Sequence, residues 1–228
     1  MTSRNWVKLF INTLFLGAIV TVITGFFVRW DKFAPLFTHF EVLEVLSVLM
    51  WLIGVGFIFS LLSQMGFFAY LTVHRFGLGI FKSAKLWNSV QAVIAAFVLF
   101  DLVYLRYTAF AEKGEGLFPY IIPALIVLVV GLVVAWQKMK QTTREAFIPA
   151  LFFMIVGTVL EWVPVLRVNE GGWFYLMLFP LLVCNGYQIL ILHKLNEKSL
   201  EERKKAQGKS KQVPEKTTKK KSKNKPSN

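Results

Sequence analysis

Three carboxylates stand inside, or at the edge of, long apolar runs: Glu44, Asp101 and Glu161. A charge in such a place costs roughly 2.5–3.5 kcal/mol on insertion scales unless it finds a partner or water. Arg106 follows Asp101 by five residues and Arg167 follows Glu161 by six. Two chemistries fit these five residues. In one, they form ion pairs at a membrane interface, with the arginine side chains reaching toward lipid headgroups. In the other, Glu44, Asp101 and Glu161 converge on an outward-facing acidic cavity that takes a cation or a small signal.

Little else offers chemistry. His39, His74 and His193 fall in separate connections, without the spacing of a zinc site. The one cysteine, Cys184, lies in an apolar run and reads as a small core residue. There is no nucleophile elbow, phosphate loop, dinucleotide glycine pattern or intramembrane aspartate pair. The expectation is a non-enzyme with no metal or cofactor.

The elements that carry these residues are spelled out by composition. The chain has 228 residues, 55% of them hydrophobic, with a net charge of +13. The two properties occupy different stretches. From Lys194 to Asn228 there are 13 Lys/Arg and four acids, whereas residues 1–193 carry 13 basic and nine acidic residues. About twenty mostly apolar residues cross a bilayer core. Six such runs are present, at about 9–28, 43–63, 86–105, 118–136, 146–166 and 173–193. The first is too long for a signal-peptide core and no small-residue cleavage pattern follows it. The fold class expected is all-α, a polytopic bundle of six transmembrane helices with a disordered basic tail.

Charge orients the bundle. The N-terminus, the second and fourth connections and the tail hold 21 Lys/Arg, against 5 in the other three connections. The positive-inside rule then places both termini in the cytoplasm of a multi-pass cell-membrane protein. Trp6, Trp87 and Trp136 fall at inner helix ends and Trp30, Trp162 and Trp173 at outer ends. Trp51 lies inside a span, either packing between helices or lining a pocket.

In the first span, Thr13, Gly17, Thr21 and Gly25 recur every four residues and share one face. Such a stripe lets two helices approach closely. It serves either packing within the bundle or a contact with a second copy or a partner. Asn88, Gln91, Asn185 and Gln188 are expected to hydrogen-bond between helices. The connection from Gln64 to Lys85 mixes Phe67, Phe68, Tyr70, Phe76 and Phe81 with His74, Arg75, Lys82 and Lys85. It either lies in the headgroup plane or extends span two as far as Val73, with Gly77 and Gly79 freeing the turn. As a functional surface it is a candidate docking segment for a neighbouring membrane protein.

In the tail, Ser199-Leu200-Glu201-Glu202 has the form of a capping box, and Glu201 and Lys205 form a favourable i,i+4 pair. These predict a short helix to about residue 207. The rest lacks the apolar content to fold alone. Lys204, Lys205, Lys219, Lys220 and Lys221 are expected at anionic phospholipid rather than nucleic acid, because the tail begins at the inner leaflet.

The segment MWLIGVGFIFSLLSQMGFFAYLTVHRFGLGIFKS (Met50–Ser83), with LWNSVQ (Leu86–Gln91), VLFDLVYLRY (Val98–Tyr107) and SRNWVKLF (Ser3–Phe10), closely resembles the KbaA family of KinB-signalling pathway activation proteins of spore-forming Firmicutes. The resemblance covers roughly residues 1–195 and is most specific over 50–107. It implies a cytoplasmic-membrane accessory protein needed for activity of the sensor histidine kinase KinB, which feeds the sporulation phosphorelay. It transfers no catalytic residue. The competing class is a small transporter or ligand-binding membrane protein built on the acidic cavity.

Overall fold

The six apolar runs become six helices long and apolar enough to cross a membrane, in a computed structural model that describes residues 2–38, 41–167 and 170–222, with side chains through Lys205. In chain order the helices are α1 (Ser3–Val28), α2 (Trp30–Thr38), α3 (Val42–Phe81), α4 (Ala84–Phe110), α5 (Phe118–Gln141), α6 (Phe147–Phe152), α7 (Thr158–Leu166) and α8 (Gly171–Ser222). A 3₁₀ turn at Arg144–Ala146 leads into α6, and a π turn at Phe153–Gly157 joins α6 to α7. Among the described residues there is no strand. The expected all-α architecture of six long apolar helices is what forms.

The first eight residues with those from Ile191 onward form one compact unit, and residues 9–190 form a second. Within the second, the core is built on α8 and the α6–π–α7 segment. Phe153, Met154, Trp162, Leu176, Leu178 and Leu181 have no exposed surface. By contrast, only 22% of the most apolar windows of α3 and α4 is buried. Val93, Phe97, Phe100 and Ile80 all point outward.

The stripe on α1 packs on α3. Thr13 and Thr21 are fully buried. A Cβ at Gly17 would collide with Ser60 Oγ, and one at Gly56 would lie 2.6 Å from the Ala18 Cα. The two backbones therefore touch, and Ser60 Oγ donates to the Thr13 carbonyl at 2.6 Å. Cys184 closes the same contact, its Sγ 3.6 Å from Ser60 Oγ.

Three elements differ from expectation. The first connection carries a helix, α2, because Phe33 and Phe37 at helical spacing pack edge-on against Phe26. Span two does not stop near Val73 but runs to Phe81, ending where Lys82 turns left-handed at φ 51°. And the α8 backbone is helical to Ser222, beyond residue 207. Growth from an existing helix escapes the nucleation penalty, and Lys, Glu and Gln are good helix formers. Ser199 accordingly begins no new helix: its Oγ donates to the Leu195 carbonyl in mid-helix.

Candidate functional site

Five buried polar side chains of residues 9–190 form one connected chain between helices. Gln188 Nε2 on α8 donates to Ser63 Oγ on α3, and Ser63 donates to Asn185 Oδ1, each at 2.7 Å. Asn185 Nδ2 then donates to Glu161 Oε2 at 2.7 Å and to Thr158 Oγ1 at 3.0 Å on α7. Each of these five residues is buried. Asn185 and Gln188 thus do what their types predicted. Ser63 and Thr158 were not anticipated. They sit in apolar runs where a hydroxyl gives no signal until its partner helix is known.

Glu161 reaches this cluster for a geometric reason. Side chains on a helix tilt toward its N-terminus, so the carboxyl falls back to the level of Thr158. One oxygen is held by Asn185 and the other, Oε1, has no hydrogen-bond partner. Glu161 lines a cavity of about 400 Å³ beside Gly66, Tyr70 and Phe153.

Asp101, Arg106 and Arg167 lie elsewhere, together on a cavity of about 600 Å³ between α4 and α7. Glu44 is exposed in the first turn of α3 and lines neither cavity. The three carboxylates therefore do not converge, and the cavity that Asp101 lines holds two arginines to one acid. Helix direction is responsible, since Glu161 turns inward to Asn185 while Asp101 faces the α4–α7 groove. Nor do the ion pairs with Arg106 and Arg167 form among the described residues. Arg106 instead donates to the Leu166 carbonyl at 3.2 Å and stacks over Phe174, with its Cζ 4.2 Å from the ring centroid.

Another arginine, not singled out in the sequence, does pair. Arg29 approaches Glu170 at 3.3 Å and lies over the rings of Trp173 and Trp51, at 4.7 and 5.8 Å. Trp51 is thereby an aromatic packing residue, edge-on to Trp173 at 5.6 Å. In the last turn of α5, Lys138 is buried and its Nζ donates to the Ile189 carbonyl at 2.7 Å.

Residues 64–81 of the 64–85 segment divide into two faces because they are helical. Phe67 and Tyr70 are buried, Tyr70 giving its hydroxyl proton to the Pro149 carbonyl at 3.0 Å. His74 accepts at Nδ1 from Trp87 Nε1 at 3.2 Å, with Gln91 Nε2 3.5 Å away. Gly77 lies flush on the Trp87 ring, leaving no room for a side chain, and Phe81 stacks on the same indole at 5.4 Å. Phe68, Arg75 and Phe76 form the exposed side. Asn88 Nδ2 reaches the Glu145 carbonyl at 3.4 Å across the neighbouring turn.

In the smaller unit, the chain start is tied to α8. Ser199 Oγ accepts from the Thr2 amide at 3.1 Å and from Asn5 Nδ2 at 2.8 Å. Glu202 accepts from Thr2 Oγ1 at 3.0 Å and pairs with Arg4 at 2.6 Å. Lys204 and Lys205 are exposed, whereas Lys219, Lys220 and Lys221 fall outside the described side chains.

Residues 17–195 match the KbaA family, described as KinB-signalling pathway activation in sporulation. The KinB-signaling pathway activation protein of Bacillus subtilis (strain 168) is 48% identical over 198 residues, covering 87% of this chain and 100% of that protein. NADH-ubiquinone oxidoreductase chain 3 of Marchantia polymorpha is 28% identical over 113 residues, covering 47% of this chain and 94% of that protein. No solved structure matches the chain. A family match over three quarters of the sequence, together with a relative aligned along its whole length, bears out the resemblance at Met50–Tyr107: the chain belongs to the KbaA family.

Proposed function

We propose that this protein is a non-enzymatic integral membrane accessory that supports activation of a KinB-type sensor histidine kinase feeding the sporulation phosphorelay. The observation that carries this is the 48% identity to a KinB-signaling pathway activation protein over that protein's full length. Six helices long and apolar enough to cross a bilayer support the membrane setting. The inside-rich charge distribution supports cytoplasmic termini.

Mechanistically, the α3 extension is the docking element. It projects past the span as a continuous helix clamped by Trp87, and it offers Phe68, Arg75 and Phe76 on its outward side. Preferential contact with one signalling state of the kinase shifts its equilibrium, and a tenfold shift needs only about 1.4 kcal/mol. Phospholipid held by the lysine tail keeps the cytoplasmic end of α8 at the inner leaflet.

Photocrosslinking in native membranes from positions 75 and 76 should trap the kinase, and deleting the gene should lower kinase output until the full-length gene is restored. Undiminished kinase output in the deletion strain overturns the reading. A cytoplasm-dependent reporter fused after Asn228 should be active; activity of an export-dependent reporter at that position would reverse the topology.

A further inference from the structure

Arg106 is a cation with no ion-pair partner among the described residues, at the junction of two cavities of different character. On one side lies the α4–α7 groove of about 600 Å³, walled by Leu102, Leu105 and Val163. On the other lies a cleft of about 470 Å³ whose lining includes Glu112, Lys113, Glu115 and Tyr120. Arg106 lines both.

The guanidinium is held in place without being neutralised. Its faces meet Phe174 at 4.2 Å and Phe110 at 5.2 Å, and one N–H goes to the Leu166 carbonyl. Stacking on rings occupies the faces of a guanidinium and leaves its planar edge for hydrogen bonds. Among the described residues no carboxylate lies within ion-pair distance of it. Arg167 lines the same groove, so its charge exceeds that of Asp101. On the cleft side, Glu115 is engaged by Tyr120 Oη at 2.9 Å and by the Glu112 amide at 3.2 Å.

The complement of such a site is an amphiphile with an anionic head. The groove is bounded by Leu105 and Leu160, which are 58% and 64% exposed on the apolar outer surface of the bundle. An acyl chain enters there directly from the bilayer, and the planar fork of arginine matches a phosphate edge. We propose that the α4–α7 groove is a binding site for an acidic phospholipid, with its phosphate at Arg106 and one acyl chain along Leu102, Leu105 and Val163.

The inference rests on the bundle lying in a bilayer, which resistance to carbonate extraction checks separately. Full-length protein in detergent is delipidated, then given dioleoyl phosphatidylglycerol, dioleoyl phosphatidylcholine or oleate, and retained adducts are read by native mass spectrometry. The expected result is retention of phosphatidylglycerol about tenfold tighter than phosphatidylcholine. Arg106→Gln should abolish that preference. Val163→Trp, which fills the groove and leaves the arginine in place, should abolish retention of both lipids. Equal retention of the two phospholipids, a preference that survives Arg106→Gln, or retention of oleate but not phosphatidylglycerol each overturns the proposal. If Arg106→Gln does not yield folded protein, the Val163→Trp result decides: lipid held as tightly as by the parent protein refutes the site.

Discussion

At the scale of single residues, the buried polar chain carries the most consequence. Asn185 has both of its amide hydrogens committed, to Glu161 and Thr158, and its oxygen accepts from Ser63. Interhelical hydrogen bonds in apolar surroundings contribute about 0.6 kcal/mol on average, and up to about 1.7. Leaving a buried donor unsatisfied costs about 1–3 kcal/mol. Glu161→Gln preserves an oxygen facing Asn185 Nδ2, whereas Glu161→Leu removes it. Thermal unfolding in detergent should therefore show Glu161→Gln within about 1 kcal/mol of the parent protein and Glu161→Leu destabilised by about 1–3 kcal/mol. Equal destabilisation by both would mean that the negative charge, not the acceptor, is what α7 requires. That Asn185 and Gln188 pair between helices was legible because amides in apolar runs need partners. Which partners they take was not, since Ser63 and Thr158 lie more than 100 and 20 residues away along the chain.

At the scale of elements, the α3 extension depends on one indole. Trp87 donates to His74, lies under Gly77 and stacks on Phe81, so it fixes three successive turns of α3. Losing a buried Trp side chain costs about 3–5 kcal/mol where the site does not collapse. Trp87→Ala should loosen residues 74–81 and leave the core around Phe153 and Leu181 intact. Hydrogen exchange should then rise within 74–81 alone, and kinase output should fall although the protein still accumulates. Normal output with a loosened extension would detach docking from this segment. The aromatic and basic composition of 64–85 marked it as unusual. The continuation of α3 as far as Phe81 was obscured by Gly77 and Gly79, which read as breakers. The tolerance has a packing reason at Gly77, where any side chain would strike Trp87.

For the molecule as a whole, the family match ends at residue 195, short of the lysine-rich stretch. Among the described residues, Thr2, Arg4 and Asn5 are tied to α8 at Ser199 and Glu202. Truncation after Lys205 should thus leave the bundle folded and kinase activation close to that of the parent. The same truncation should weaken binding of the C-terminal end to anionic vesicles by about 1 kcal/mol for each lysine that had been near the surface. Loss of kinase activation on truncation would assign the tail a signalling role that lipid contact does not explain.

Sequence alone specified that the chain makes six apolar helices, which ends of them carry the positive charge, and which family it belongs to. These follow from composition over windows of about twenty residues and from local motifs, and neither needs a partner residue to be known. Which side chains meet was settled by packing. Glu44, Asp101 and Glu161 look equivalent as carboxylates in apolar runs, yet α7 turns one of them inward to Asn185 and α4 leaves another beside two arginines. Helix rotation about its own axis, set by close contacts such as Gly66 on the Glu161 carboxyl, decides that sorting. In a uniformly apolar helix almost nothing in the one-dimensional pattern reports rotation, because every face is greasy. The charge of the groove at Arg106 is accordingly a tertiary property, readable only once α4, α7 and Phe174 are brought together.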